Sequence, residues 1–419
     1  MGMALGILAS AAVLFHVGVN DALSALAYGG RVVGAVFLIA ILVEAVAILA
    51  LCDYWGMRTL RYSGVAVLLG VGTVVVTDLM FLIVQIQGAE YTVFLWLWIG
   101  LAIWAIWALW LLTQQKVWQG IPHTKGVALS VVVSGAIGAT SLGYSQLYVP
   151  YNTPVKTLIN VTFDDPTAAT DGSLLHVPVK FKLQNTGSVG VFLVGSSWTA
   201  QGSPTKFNRE GSGMNDWKRS VEIPGDNEML RHVAFYPSHM LGTGTIATPG
   251  AWVDPGAEYS LEEIVDVPLR SGFSRIEVFI YLGFLRGDRC KPASDYAASL
   301  EVSWDAKSRE KKHIRDAPAW LAHPGDEFYR HHSKVSYSSE ILNLTHTTAY
   351  ANAWWVFPRW REGVSFAKGD TFPYMDVAIS HEPEGDKLMS QSEEPECGMT
   401  LIRRKFVATV DQLLKAAKE

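Results

Sequence analysis

The sequence predicts a membrane α-helical bundle of five transmembrane helices. An extracytoplasmic all-β region follows it, an immunoglobulin-like sandwich with a helix at its C-terminal end. Three observations predict this. Long, nearly uncharged apolar stretches crowd into residues 1–149, the last of them Gly126 to Tyr148. From residue 150 onward charge and proline become frequent. In that second half apolar residues recur at alternate positions between clusters of Asn, Gly and Pro, the pattern of strands joined by turns.

A helix needs about 20 apolar residues to cross the ~30 Å hydrocarbon core. Five stretches meet or approach that length: Met3 to Val19, extendable through Ala27; Val32 to Leu51; Ser63 to Ile86; Thr92 to Leu112; and Gly126 to Tyr148. Hydrocarbon offers no partner to free backbone groups, so all five are expected as helices. The links after the second and fourth spans carry Arg58 and Arg61, and Lys116 and Lys125; the link after the third carries only Glu90. Basic links stay in the cytoplasm. The N-terminus is therefore expected inside and residues 150–419 outside, with Arg31 the one exception. Ala25-Leu26-Ala27 also resembles a signal-peptidase site, although Met1 to Leu5 lacks the basic residue such leaders carry. Gly30 with Gly34, and Ser134 with Gly138, have the small-xxx-small spacing that lets helices approach closely.

Three ionisable residues interrupt the spans: His16, Glu44 and Asp78. Charges in a bilayer face protein or water, so each is a candidate for a proton or cation path or for a buried polar lock. At 1.5 Å per residue, His16 and Asp78 fall about 10 Å below the outer boundary and Glu44 about 18 Å below it. The count pairs His16 with Asp78 and leaves Glu44 apart. In the fourth span Trp96, Trp104, Trp107 and Trp110 share one face and Trp98 points away, as expected of packing and interface anchoring. One histidine within the spans is too few for a bis-histidine haem.

The second half divides into a sandwich over 150–304, a polar linker over 305–332 and a second β-rich segment over 333–419 ending in a helix. Val177, Val179, Phe181 and Leu183 alternate with Pro178, Lys180 and Lys182; Ile276, Val278, Ile280 and Leu282 alternate with Glu277, Phe279 and Tyr281. Strand, Asn185-Thr-Gly turn and strand resemble the opening of many immunoglobulin-like modules. Val335 to Leu344, Ala349 to Phe357 and Phe372 to Ile379 read as strands. Thr400 to Lys418 has the apolar spacing of a helix through Leu401, Phe406, Val410, Leu413 and Leu414.

The chemistry-bearing candidates are few. Histidines gather at His313, His323, His331, His332 and His346 without a ligand spacing, so a metal site would start from His331 and His332. Trp354, Trp355, Arg359, Trp360 and Arg361 form the densest aromatic and basic run, a candidate interaction patch. A strand buries only alternate residues, so Trp354 and Trp355 cannot both face one core. Cys290 and Cys397 could pair if this half is exported. The sequence has no nucleophile elbow, phosphate loop or dinucleotide fingerprint. A net charge of −5 without a basic run argues against nucleic acid.

These readings point to a non-enzymatic, multi-pass envelope membrane protein whose β region binds a protein partner, a second copy or a glycan, as an accessory or scaffold subunit. No cofactor is implied, and membrane lipid is the surrounding partner. Two alternatives follow from the same residues: an ion- or proton-coupled transporter or channel subunit using His16, Glu44 and Asp78, and a metal-dependent envelope enzyme.

Overall fold

In a computed structural model the described residues are 2–57, 59, 62–87, 91–117, 155–207, 233–235, 238–303, 321, 326–358, 372–381 and 397–418. The expected fifth span, 126–148, lies outside them, as does the Ser134 and Gly138 pair. Among the described residues the chain divides into two compact units. The first gathers residues up to 117 with 288–291 and 336–348; the second gathers the remainder from 155 on.

The first unit is helical. It contains α1 (Gly2–Ser24), α2 (Tyr28–Cys52), α3 (Ser63–Gln87) and α4 (Phe94–Gln114), with a π-turn at Asp53–Met57 after α2. All four are long and apolar enough to cross a membrane. Each packs on the next, and α4 returns to α1. Links as short as Ala25–Ala27 leave room only for antiparallel neighbours. A Cβ added at Gly34 would fall 2.3 Å from the Ala22 backbone nitrogen, so this glycine sets the contact of α1 with α2. The outward positions are apolar, among them Leu5, Phe15, Leu42, Leu49, Ile83 and Ile106, as lipid contact requires.

Inside, two apolar clusters stack along the bundle. One gathers Ile7, Ala47, Leu51, Val67, Val71, Ala108 and Leu112. The other gathers Leu14, Val17, Phe37, Phe81, Trp98 and Leu101. The sequence places Ser10, Glu44 and Asp78 between the two on their respective helices. Trp98 is fully buried while Trp96, Trp107 and Trp110 are exposed. Trp104 differs from them, because its indole N–H donates to the Gly2 carbonyl at 3.0 Å.

The second unit is built from antiparallel strands: β1 (Thr157–Phe163), β2 (Thr167–Ala168), β3 (Leu174–Asn185), β4 (Val191–Ser203), β5 (Thr205–Phe207), β6 (Val233–Phe235), β7 (His239–Gly244), β8 (Ala251–Val253), β9 (Glu258–Pro268), β10 (Arg275–Arg286), β11 (Cys290–Pro292), β12 (Leu300–Val302), β13 (Glu327–Tyr337), β14 (Ala349–Phe357), β15 (Tyr374–Ser380) and β16 (Thr400–Thr409). The first sheet runs β1-β3-β2, with β9 also on β3. The second runs β16-β10-β4-β7, with β8 on β4; the third runs β11-β13-β14-β15, with β12 on β13. β5 and β6 pair separately.

The alternation legible in β3 and β10 builds the sandwich core. Leu175, Val177, Val179, Phe181 and Leu183 pack against Ile276, Val278, Ile280, Leu282 and Phe284. The opposite face of the second sheet is covered as well. A Cβ at Gly195 would lie 2.7 Å from Met375 Sδ, and one at Gly283 would lie 2.4 Å from Val377 Cγ1. β4 and β10 thus form the middle layer of three, and glycine lets the third sheet close on them.

Several sequence expectations change. The stretch 327–332, expected as linker, is the first half of β13; its polar residues tolerate a strand because Arg330 ion-pairs with Glu301 at 2.5 Å and its guanidinium lies 5.0 Å from the Trp354 ring centroid. Val335 to Leu344 is not one strand, since β13 ends at Tyr337 and a short helix, α5 (Glu340–Thr345), follows. Residues 400–409 are a strand and only α6 (Val410–Ala416) is helical, because β16 pairs along β10 from Arg275 to Phe284 and a long ladder outweighs local spacing. The 150–304 segment is therefore not closed on itself.

The close packing of the middle layer predicts that Gly283→Ala destabilises the β unit by about 1–3 kcal/mol. Denaturant unfolding read by tryptophan fluorescence measures it.

Candidate functional site

The helical unit contains one element from far along the chain. The segment 336–348, which joins β13 to β14, belongs to it and carries α5. A six-residue helix cannot hold itself together, and its free backbone groups need partners. Helices of the bundle supply them. Asp21 Oδ1 accepts the Glu340 N–H at 2.5 Å. A carboxylate also suits the positive end of a helix. At the other end of α5, Gln85 Nε2 donates to the Thr345 carbonyl at 2.6 Å, and the Thr92 hydroxyl donates to the Leu344 carbonyl at 2.9 Å. The Leu26 N–H donates to the Ser338 carbonyl at 2.9 Å. Ile341 enters the cluster of Leu14, Val17, Phe37, Phe81 and Trp98. α5 is thus clamped at the end of the bundle marked by the α1–α2 and α3–α4 links.

The intramembrane candidates separate into two groups. His16 does not meet Asp78, as depth counting suggested. Its Nε2 lies 3.3 Å from Glu340 Oε1 on α5, and its side chain is exposed. Glu44 and Asp78 are buried, and the Ser10 hydroxyl donates to Glu44 Oε1 at 3.1 Å. The depth estimate failed because it took no account of a helix arriving from residue 340. Asp21, Gln85 and Thr92 were missed for the same reason: their partners are distant in sequence. Asp21 alone carried a signal, as an acid near the end of a span.

His313 and His323 lie outside the described residues, and among those residues His331 and His332 do not converge on a metal site. They are neighbours on β13 and serve opposite faces. His331 Nδ1 donates to the Tyr296 carbonyl at 3.2 Å; His332 Nδ1 donates to Asn352 Oδ1 at 2.7 Å, and its ring stacks on Tyr350. Among the described residues no group of three His, Cys, Asp or Glu could hold a metal ion. Trp354 and Trp355 are buried and offer no surface patch. Trp354 packs with Phe328, Val356 and Leu321. On the other face the Trp355 indole N–H donates to the Ser196 carbonyl at 3.0 Å, and its ring stacks on Tyr329. Each tryptophan serves its own layer, which resolves the alternation problem. Arg359, Trp360 and Arg361 lie outside the described residues. Cys290 and Cys397 are disulfide-bonded, and Cys52 is free.

The interior of the β unit shifts several ionisations. Burial pushes the Tyr296 phenol above its usual range; its hydroxyl donates to the Val194 carbonyl at 2.9 Å. Burial pushes Tyr329 up to about 12. Burial lowers His331 below its ordinary value of 6.5, with the hydrogen bond to Tyr296 acting in the opposite direction.

No protein-family model matches the chain, and no curated protein matches it. Among solved structures, the ApaA protein from Bordetella pertussis is similar at 12% identity over 32% of this chain and 82% of that one, with a TM-score of 0.17.

Two outcomes follow. Truncating Ile341 removes the apolar anchor of α5, so Ile341→Ala weakens the clamp by about 2–5 kcal/mol. Hydrogen exchange will rise across 336–348 while the cores of β3 and β10 stay protected. His331 binds a proton less readily folded than unfolded, so the stability it contributes is complete above pH ~6.5 and declines as pH falls below that value. Chemical denaturation of wild type and His331→Asn across pH 5–8 checks this, and the variant should have the flatter profile.

Proposed function

We propose that this chain is a five-span membrane protein with a cytoplasmic N-terminus. Its β region works outside the membrane as a non-catalytic binding or assembly module, as an accessory or scaffold subunit of a membrane complex. The observation that carries the reading is the position of α5. α4 starts at the end of the bundle where α5 is clamped and runs to the opposite end. The chain must return to reach residue 340, which calls for one more crossing between 115 and 340. The apolar stretch 126–148 is the segment with the length and composition to make it.

Two further features support the orientation. The end that holds α5 is opposite the links bearing Arg58, Arg61 and Lys116, the cytoplasmic end by the basic-residue rule. A disulfide in the β region suits an oxidising compartment. The immunoglobulin-like reading is supported by the way long successive strands alternate between facing sheets, β3 and β9 in one, β4 and β10 in the other. A binding role fits a large β body in which Trp355 and His331 are engaged within its own layers.

Reporter fusions test the topology. Alkaline phosphatase should be inactive when fused after residue 119 and active after residue 419, and deleting 126–148 should silence the second fusion. An active fusion at 119 overturns the topology. Gentle detergent extraction tests the assembly role. The expected native mass exceeds that of one 46.0 kDa chain and its detergent, with defined companion polypeptides or further copies of the chain. A lone monomer would defeat it.

A further inference from the structure

Two buried carboxyl groups take no part in the clamp. Glu44 is 0% exposed and Asp78 is 2% exposed. Ser10 satisfies one oxygen of Glu44, but among the described residues Glu44 Oε2 and Asp78 Oδ2 have no hydrogen-bond partner.

Helix geometry brings the two together. Gly70 of α3 rests on Ala47 of α2, with an added Cβ only 2.2 Å from the Ala47 Cβ. Counted from that level at 1.5 Å per residue, Glu44 lies about 4.5 Å and Asp78 about 12 Å toward the α5 end, an axial gap of about 7.5 Å. Side chains on a helix lean toward its N-terminus. Because α2 and α3 are antiparallel, Glu44 leans toward α5 and Asp78 leans away from it. The two side chains therefore lean toward each other across α2 and α3.

Among the described residues of the bundle nothing cationic offsets them. α1, α3 and α4 contain no lysine or arginine. Arg31 of α2 lies at its α5 end, where Nε donates to the Ala25 carbonyl at 3.0 Å. The other titratable groups of α1, His16 and Asp21, are engaged with Glu340 on α5. α4 contributes no ionisable residue, but it contributes a third orphan. Trp98 is fully buried, its Nε1–H has no partner among the described residues, and it stacks at 4.5 Å on Phe81, one turn along α3 from Asp78.

Two ionised carboxylates between apolar clusters would be too costly to bury without a counter-ion. A metal cation would need six or so oxygen donors. The described residues offer Glu44, Asp78 and Ser10, since the Thr77 hydroxyl is already given to the carbonyls of Thr73 and Val74. A proton needs only the two free oxygens. We propose that Glu44 and Asp78 form an intramembrane proton-binding pair that holds one exchangeable proton between them. One carboxyl donates its O–H to the free oxygen of the other. Release of the proton leaves two like charges facing each other across α2 and α3, and loosens their packing. The bundle is then a proton-responsive element as well as an anchor.

The full-length protein in lipid nanodiscs tests this with dicyclohexylcarbodiimide, which modifies protonated carboxyls in apolar surroundings, and peptide mass spectrometry. The expected label falls on Glu44 or Asp78 at neutral pH and declines as pH rises. It is unaffected by sodium, and it is lost in a Glu44→Gln, Asp78→Asn double variant. Each single variant should move the pH at which labelling declines. Absence of label at every pH, protection by sodium at constant pH, or single variants with the wild-type profile would each overturn the proposal. If the variants do not fold, infrared spectra of the wild type decide: a protonated-carboxyl band at neutral pH that shifts in D2O supports the pair, and its absence overturns it.

Discussion

The two ends of α5 are capped by side chains more than 200 residues away in sequence, and the helical unit depends on that exchange. Asp21 holds the amide end, Gln85 and Thr92 hold the carbonyl end, and Ile341 fills the space between Phe37, Phe81 and Trp98. A buried helix terminus without partners costs free energy at each group, so neither side of this contact is complete alone. A polar cap over an apolar plug also decides which residues of the bundle are spoken for. His16 and Asp21 are occupied by α5, which leaves Glu44 and Asp78, among the described residues, each with one unpartnered carboxyl oxygen.

The same logic of layers orders the β unit. β10 faces apolar residues on both sides, and it tolerates this because the sequence gives it large side chains toward the first sheet and Gly283 toward the third. A polar residue on the sandwich-core face, Ser196 opposite Leu282, is not an error of patterning. The Ser196 hydroxyl donates to the Ala247 carbonyl and accepts from the Ile246 and Ala247 amides, which turns a potential penalty into a fixed crossing of the chain.

Much of this was legible from the residues alone. Four candidate spans and the alternating strands β3 and β10 could be read because each carries a local pattern: long apolar runs in the helices, and in each strand a row of alternate apolar residues facing the sandwich core. Pairings set by distant segments could not be read. Leu401, Phe406, Val410 and Leu413 have helical spacing, yet the first two belong to a strand because β10 offers its whole length as a partner. His331 and His332 were where a metal site would start despite lacking a ligand spacing; as neighbours on a strand they diverge. Trp354 and Trp355 were correctly seen as unable to share one core; the resolution was a second layer rather than a surface. For the site, Glu44 and Asp78 stood out as acids in apolar spans, but their partnership emerged only from the antiparallel lean of α2 and α3.

The central sheet has an edge strand drawn from nearly the last residues of the chain. β16 covers β10, the strand that both neighbouring layers rest on. While the polypeptide is being made, β10 presents an open row of amides and carbonyls from the moment it forms until residue 409 appears, more than a hundred residues later. Closure of the stack on this side therefore waits for a strand made more than a hundred residues after β10. The run Arg403-Arg404-Lys405 on the arriving strand keeps that strand soluble until it docks.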